Sequence, residues 1–170
     1  MSENKIIATE ESLHLLCMLW AKEANITSEN NNHFLELKNI DRKILYSTSR
    51  PKKVRGFIES DKVIKTWVSN NDVFLNEPPE IAFEYTTLKP NADGITNAIS
   101  IDLSSPVITK ENTCKFKLCF RNEIVPDGKY DDISLFIDWL PTFYCPKPIA
   151  LLLPELAEYY KQNKLRGILK

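Results

Sequence analysis

The sequence predicts a mainly β fold: an antiparallel β-sandwich with one inserted short helix and a helix at each end. Three observations carry this. Four stretches between Ile81 and Trp139 alternate apolar and polar residues with period two. Their connections, KPNADG, SSPVITKENT and VPDGKYDD, hold the Pro, Gly, Asn and Asp that turns use. At 170 residues and 43% hydrophobic, the chain can bury one real core and is short for two domains. The expected division is an N-terminal helix and linker over residues 1–32, a sandwich over 33–140, and a Pro-rich segment with a C-terminal helix over 141–170.

In chain order, Thr9 with Glu10 and Glu11 has the hydroxyl and early acids of a helix start. Leu13, Leu16, Cys17 and Trp20, with Leu15 and Leu19 beside them, fit a helical stripe. Asn25 to Asn32 then reads as a solvated linker. Strand periodicity begins with HFLEL from His33 and resumes with ILYS from Ile44. Ser60 is placed as the N-cap of SDKVIKTWVSN, where Val63, Ile64, Trp67 and Val68 recur at helical spacing, so YSTSRPKKVRGF falls on a strand-to-helix connection. After NEPPE come the four clearest strands, with inward series Ile81, Phe83, Tyr85; Ile99, Ile101, Leu103; Cys114, Phe116, Leu118, Phe120; and Ile133, Leu135, Ile137, Trp139. Such alternation gives one wet face, and short turns make successive strands antiparallel neighbours. Prolines at 141, 146 and 148 exclude a central strand, and a last helix is placed from Pro154.

The stretch from His33 to Leu140 resembles a family of uncharacterised bacterial β-rich domains. The resemblance rests on a Tyr-x-x-x-Arg-Pro turn followed by a helix ending in Trp (Tyr46, Arg50, Pro51, Gly56, Trp67), an Asn-x-Pro-Pro loop (Asn76, Pro78, Pro79) and a Ser-Leu-Phe-Ile-Asp strand, Ser134 to Asp138. Members often carry Asp before the Arg-Pro and His after the Gly, where this chain has Ser49 and Phe57. The resemblance implies a sandwich-like fold and brings no activity with it.

Composition excludes several classes. A net charge of −1 gives no global pull toward nucleic acid or anionic membrane. Four glycines are too few to favour glycine-rich phosphate loops. The four cysteines contain no Cys-x-x-Cys pair, and Cys114 and Cys119, an odd number of positions apart, face opposite sides of one strand. No metal and no cofactor is expected. The opening residues lack a signal segment and no apolar run is long enough to span a bilayer, which points to the cytosol and leaves open export without a cleaved signal.

The strongest positive feature is the cation cluster Arg50, Lys52, Lys53 and Arg55, which near a helix start could cradle a phosphate. Against it stands the ordinary reading, in which Arg50 pairs with Asp138 or Glu84 and the lysines are solvated. Cys17 with His14, or Cys145 with His33, would be the nucleophile and base of a covalent mechanism, but a small apolar cysteine turned inward is commoner. Asp127, Asp131 and Asp132 lack EF-hand spacing and read as a hairpin turn at Gly128. Glu84 and Asp102 form the only carboxylate pair worth weighing for hydrolysis. Lys115, Lys117 and Arg121 share a sheet face without the aromatics that nucleic acid binding needs, since Phe116 and Phe120 face the other way. The sequence thus favours a non-catalytic protein-binding or adaptor domain of a bacterial protein, its Asn- and Lys-rich make-up suiting an effector delivered into a host. The alternatives are an enzyme or binding protein for an anionic small molecule near Arg50, and a homodimer formed through a sheet edge or the first helix.

Overall fold

The computed structural model describes residues 14–50, 53–76, 78–87, 95–138 and 152–153. The first described element is a long hairpin. Strands β1 (His14–Glu29) and β2 (Asn32–Ile40) pair antiparallel up to Glu29 opposite Asn32, leaving the two-residue loop Asn30–Asn31. Both loop residues have positive φ, 50° and 65°, as a type I′ turn requires, and Asn tolerates that backbone better than other residues with a side chain. The first-helix and linker expectations therefore fail over residues 14–32, which are strand and turn.

Past Ile40 the chain turns through Asp41 and Arg42 and resumes as β3 (Lys43–Arg50) along the same edge of β1. The amide of Asp41 donates to the Trp20 carbonyl at 2.9 Å and holds the corner. Next come β4 (Val54–Glu59), which sequence periodicity missed, α1 (Ser60–Ser69), α2 (Asn71–Asn76), β5 (Glu80–Thr87), β6 (Ile95–Lys110), β7 (Thr113–Phe120) and β8 (Gly128–Asp138). Ser60 is not the N-cap: Glu59 holds that position with no side-chain cap bond, and the Ser60 hydroxyl donates to the Asp41 carbonyl.

Every pairing is antiparallel, in the order β2-β7-β6-β5-β8-β1-β3-β4, and the further β1–β2 pairing closes six strands into a ring. Where a sandwich would have two sheets, the described residues form one, rolled on itself. β8 lies between β5 and β1, so VPDGKYDD is a crossing connection rather than a hairpin, although Gly128 does take an unusual φ of 152°. The Pro-rich segment and last helix expected over residues 141–170 lie outside the described residues except for Leu152 and Leu153, whose side chains pack on the core. Among the described residues, no helix is long and apolar enough to cross a membrane.

Ring closure needs bending, and the burial pattern shows where it occurs. In β1 the inward series Leu15, Cys17, Leu19, Ala21 skips to Ala24 and Ile26; in β2, Leu35 and Leu37 skip to Ile40; in β8 the series Ile133, Leu135, Ile137 is preceded by outward Asp131 and Asp132. The skips sit at one level, because Ala21 pairs with both Ile40 and Ile133. Asn39 and Asp132 adopt positive φ there, 52° and 50°, so the change of facing is made with residues suited to left-handed backbone.

α1 packs against β4 and β6, and α2 against β6. Trp67 stacks on Phe74 with centroids 5.1 Å apart and meets Phe116 edge-on at 5.3 Å, joining both helices to the strand core. β6 passes through buried Pro106 by a bulge between Ser104 and Val107, and the bulged amide of Ser105 donates to Asn71 Oδ1 at 3.0 Å. The bulge that accommodates the proline thereby anchors α2.

Candidate protein-binding face

The cation cluster lies at the tip of the β3–β4 hairpin. Lys53 and Arg55 are exposed; the side chain of Arg50 and the whole of Lys52 lie outside the described residues. The six-residue strand β4 separates this tip from the first turn of α1, about 20 Å at strand rise. Lys53, at the tip, is therefore a strand's length from the helix amides. At the tip itself, the amide of Val54 donates to Thr48 Oγ1 at 3.1 Å.

Other candidate chemistry disperses as well. Cys17 is buried and points into the core, and residues 14–17 lie on a strand rather than a helix, so the one-turn helical spacing of Cys17 and His14 is lost. Cys114 is buried, Cys119 exposed and both thiols are free, as opposite facing requires. Burial pushes the Cys114 thiol up to about 12, against a smaller lowering by its hydrogen bond with Val107 backbone, which makes it a poor nucleophile. Cys145 lies outside the described residues. Glu84 pairs with Ala98, four residues before Asp102, so these carboxylates are about 13 Å apart along the strands, and Asp102 is engaged by Arg121 Nε at 2.8 Å. Among the described residues, no three His, Cys, Asp or Glu side chains converge as metal ligands.

One cluster resembles a hydrolytic triad and is not one. Ser28 Oγ donates to Asp127 Oδ1 at 2.7 Å and lies 2.9 Å from His33 Nδ1. A hydroxyl has one proton; with it given to Asp127, the imidazole must donate to Ser28. A nucleophile mechanism needs the base to receive the serine proton, and here the serine sits between the other two. The group ties the β1–β2 hairpin to the loop before β8.

The cationic strand face includes an aromatic that sequence reading missed. Phe34, from β2, lies 4.8 Å beneath Lys115 Nζ. That face is balanced by Glu36, which is paired with Lys38, and by Asp102, so it is not a cationic groove.

What the fold does assemble is an apolar row on its outer face. Ala82 pairs with Phe136, Phe136 with Met18, Met18 with Leu45 and Leu45 with Phe57, crossing five strands from β5 to β4, and polar Ser100 of β6 lies opposite Ala82 at the far end. All six turn away from the buried series. Ala82 is exposed; Ser100, Phe136, Met18 and Leu45 are half-buried; Phe57, at the end of the row, is 62% exposed. Leu16 and Trp20 flank it on β1, and a depression of about 400 Å³ opens over Ala82, Ala98 and Phe136 with Glu80 and Asp138 at its rim. The wet face of an antiparallel sheet ordinarily carries polar side chains. A continuous apolar row there is a feature of interaction surfaces.

The row ends on an open edge. Among the described residues nothing pairs with the outer side of β4. β4 contains no proline or bulge, and its register with β3 is unbroken from Thr48–Val54 to Lys43–Glu59. Gly56, directly opposite Tyr46, lies beneath that ring, and Tyr46 is buried. Comparison with protein-family models, with curated protein sequences and with solved structures finds no match to this chain.

Proposed function

We propose that this chain is a non-catalytic protein-binding domain that takes an extended segment of its partner along β4. The observation that carries the reading is a regular edge strand, with no partner on its outer side among the described residues, at the end of an apolar row five strands wide. Backbone pairing along such an edge provides general affinity, and the side chains at alternate positions provide selection. Arg55, Phe57 and Glu59 are the exposed alternate positions of β4, so the fitting segment presents an acid, an apolar residue and a base two positions apart. The bacterial assignment comes from the resemblance in residues 33–140, and delivery as an effector from composition alone. The anion-binding reading of Arg50, Lys52, Lys53 and Arg55 has less support, because Lys53 and Arg55 are solvent-facing and the helix start lies a strand's length away.

The test is a selection of displayed random decapeptides on the immobilised full chain, repeated with Phe57→Lys. Enrichment of extended sequences with an acid, an apolar residue and a base at alternate positions, in the order base–apolar–acid from N to C for an antiparallel segment, lost on Phe57→Lys at an unchanged melting temperature, is the expected result. No enrichment, or peptides that bind Phe57→Lys equally well, overturns the reading.

A further inference from the structure

β4 itself carries the pattern that its edge selects. Read backward, as an antiparallel partner would present it, the exposed series Arg55, Phe57, Glu59 becomes Glu59, Phe57, Arg55. We infer that the segment pairing with β4 is β4 of a second copy of this chain, related by a two-fold axis through the Phe57–Phe57 pair. This inference rests on the edge-binding reading above and names its partner.

Geometry selects the register. A two-fold axis perpendicular to the sheet keeps both outer faces on one side only if paired residue numbers have an even sum, since a one-residue slip turns every side chain over. Centring on Gly56 sets Arg55 against Phe57 and puts Glu59 opposite Lys53, beyond the end of β4; centring on Ile58 sets Phe57 against Glu59 and puts Arg55 opposite Asp61, already in the helix, so each buries a charge against the ring. Centring on Phe57 sets Arg55 against Glu59 twice, places the two exposed rings together, and puts Ile58 opposite Gly56, beside the Tyr46 ring that lies over the glycine. It also joins the two apolar rows end to end.

The electrostatic environment agrees. Arg55 has no ion pair among the described residues, Glu59 has only an exposed contact with Lys62 at 4.0 Å, and Lys43 Nζ lies 6.0 Å from the Phe57 ring centroid. A net charge of −1 per copy sets little long-range repulsion against association. A six-residue strand pairing falls below the roughly 1,200 Å² of a standard stable interface, so the dimer forms in the micromolar range.

The experiment is sedimentation equilibrium of the full chain under reducing conditions between about 1 µM and 1 mM. Wild type shows a monomer–dimer equilibrium. Arg55→Glu sets Glu against Glu59 and Glu59→Arg sets Arg against Arg55, so each weakens dimerisation by roughly tenfold or more. An equimolar mixture of the two variants restores opposite charges at both positions and regains the dimer. As a second readout, in a Cys119→Ser chain, Phe57→Cys is cross-linked by mild oxidation, because directly opposite Cα atoms on antiparallel strands fall within disulfide range. Arg55→Cys is not, and the Cys119→Ser parent is the reference. A dimer unaffected by either charge reversal, or two weakened variants that do not rescue each other, overturns the register. A wild-type monomer throughout the range overturns the second copy as partner; peptide binding in the selection above would still uphold edge pairing with another protein, and its absence would end both readings.

Discussion

Gly56→Ala tests how β4 is held. A Cβ at this position would lie 2.7 Å from Tyr46 Oη, 2.9 Å from Cζ and 3.1 Å from Cε1. Ordinary carbon contacts are about 3.5–4.0 Å, so the ring must lift by nearly ~1 Å. Tyr46 is only 5% exposed and belongs to the core, so that movement disturbs its packing as well as the hairpin. Overpacking of this kind costs about 1–3 kcal/mol, and the smaller backbone entropy loss of Ala in a strand returns about 0.5 kcal/mol. The expected net loss is about 1–2 kcal/mol, read as a shift in the urea midpoint at constant slope, or about 2–4 °C of melting temperature per kcal/mol. In a Tyr46→Val background the obstruction is gone, and the same substitution should be neutral or slightly stabilising, giving a coupling of at least about 1 kcal/mol. A neutral or stabilising Gly56→Ala in the wild-type chain would refute the argument that the ring fixes β4 by lying across the glycine.

Two further outcomes follow from side chains whose surroundings are defined. The buried Cys114 thiol keeps its proton up to about 12, whereas an unfolded thiol releases it near 9.0, so stability is full below about pH 9 and falls as pH rises toward 12. Burial also raises Tyr85 and Tyr130, with nearby charge adding at each, so Cys114→Ala should flatten the lower part of this decline, between pH 9 and 10, in urea unfolding. An unchanged slope there would show that the thiol contributes nothing. At the β1–β2 turn, Asn31 has φ 65°; Asn31→Gly should raise stability by about 0.5 kcal/mol and Asn31→Val lower it by about 1–2 kcal/mol, and equal melting temperatures for the two would rule out the type I′ turn.

Strands were legible wherever one face meets water and the other the core. The inward series of β5 and β7, Ile133, Leu135 and Ile137 of β8, and Val63, Ile64 and Trp67 of α1 stand as sequence periodicity places them, whereas Val68 is exposed and Trp139 lies outside the described residues. The failures have local causes. β4 has only the half-buried Val54, Gly56 and Ile58 on its inner side, against Arg55, Phe57 and Glu59 outside, so its apolar residues give no period. β6 runs on through Pro106 because a bulge removes the need for the missing amide, which the residue types alone do not reveal. Asn30–Asn31 did carry a signal: two adjacent residues that tolerate positive φ, between apolar stretches, are a hairpin turn as readily as part of a linker. The candidate site was least legible, since Phe57 joins Leu45, Met18 and Phe136 only through strand order, and strand order depends on pairings between residues up to about 120 positions apart.

The misreading of β1 has the same origin as the proposed function. A strand on a solvated sheet alternates, but the first half of β1 is apolar on both sides: Leu15, Cys17 and Leu19 face the core while Leu16, Met18 and Trp20 face outward. Six consecutive apolar residues contain a helical stripe as easily as a strand, so the periodicity carried no strand signal. Burial of the inner set explains only half of the run. The outer set has no core to enter, and Leu16 remains 39% exposed. Apolar side chains kept on a wet face forgo the favourable burial that would compensate them, unless another surface covers them. The property that hid the strand in the sequence is thus the property that marks the outer face for a partner, and it predicts that charging this face is tolerated by the fold but not by binding. Met18→Lys should leave the melting temperature within about 2 °C of wild type, as surface changes do, while weakening peptide capture by the β4 edge. A large loss of stability from Met18→Lys would instead mean that the outer row is already part of the folded core.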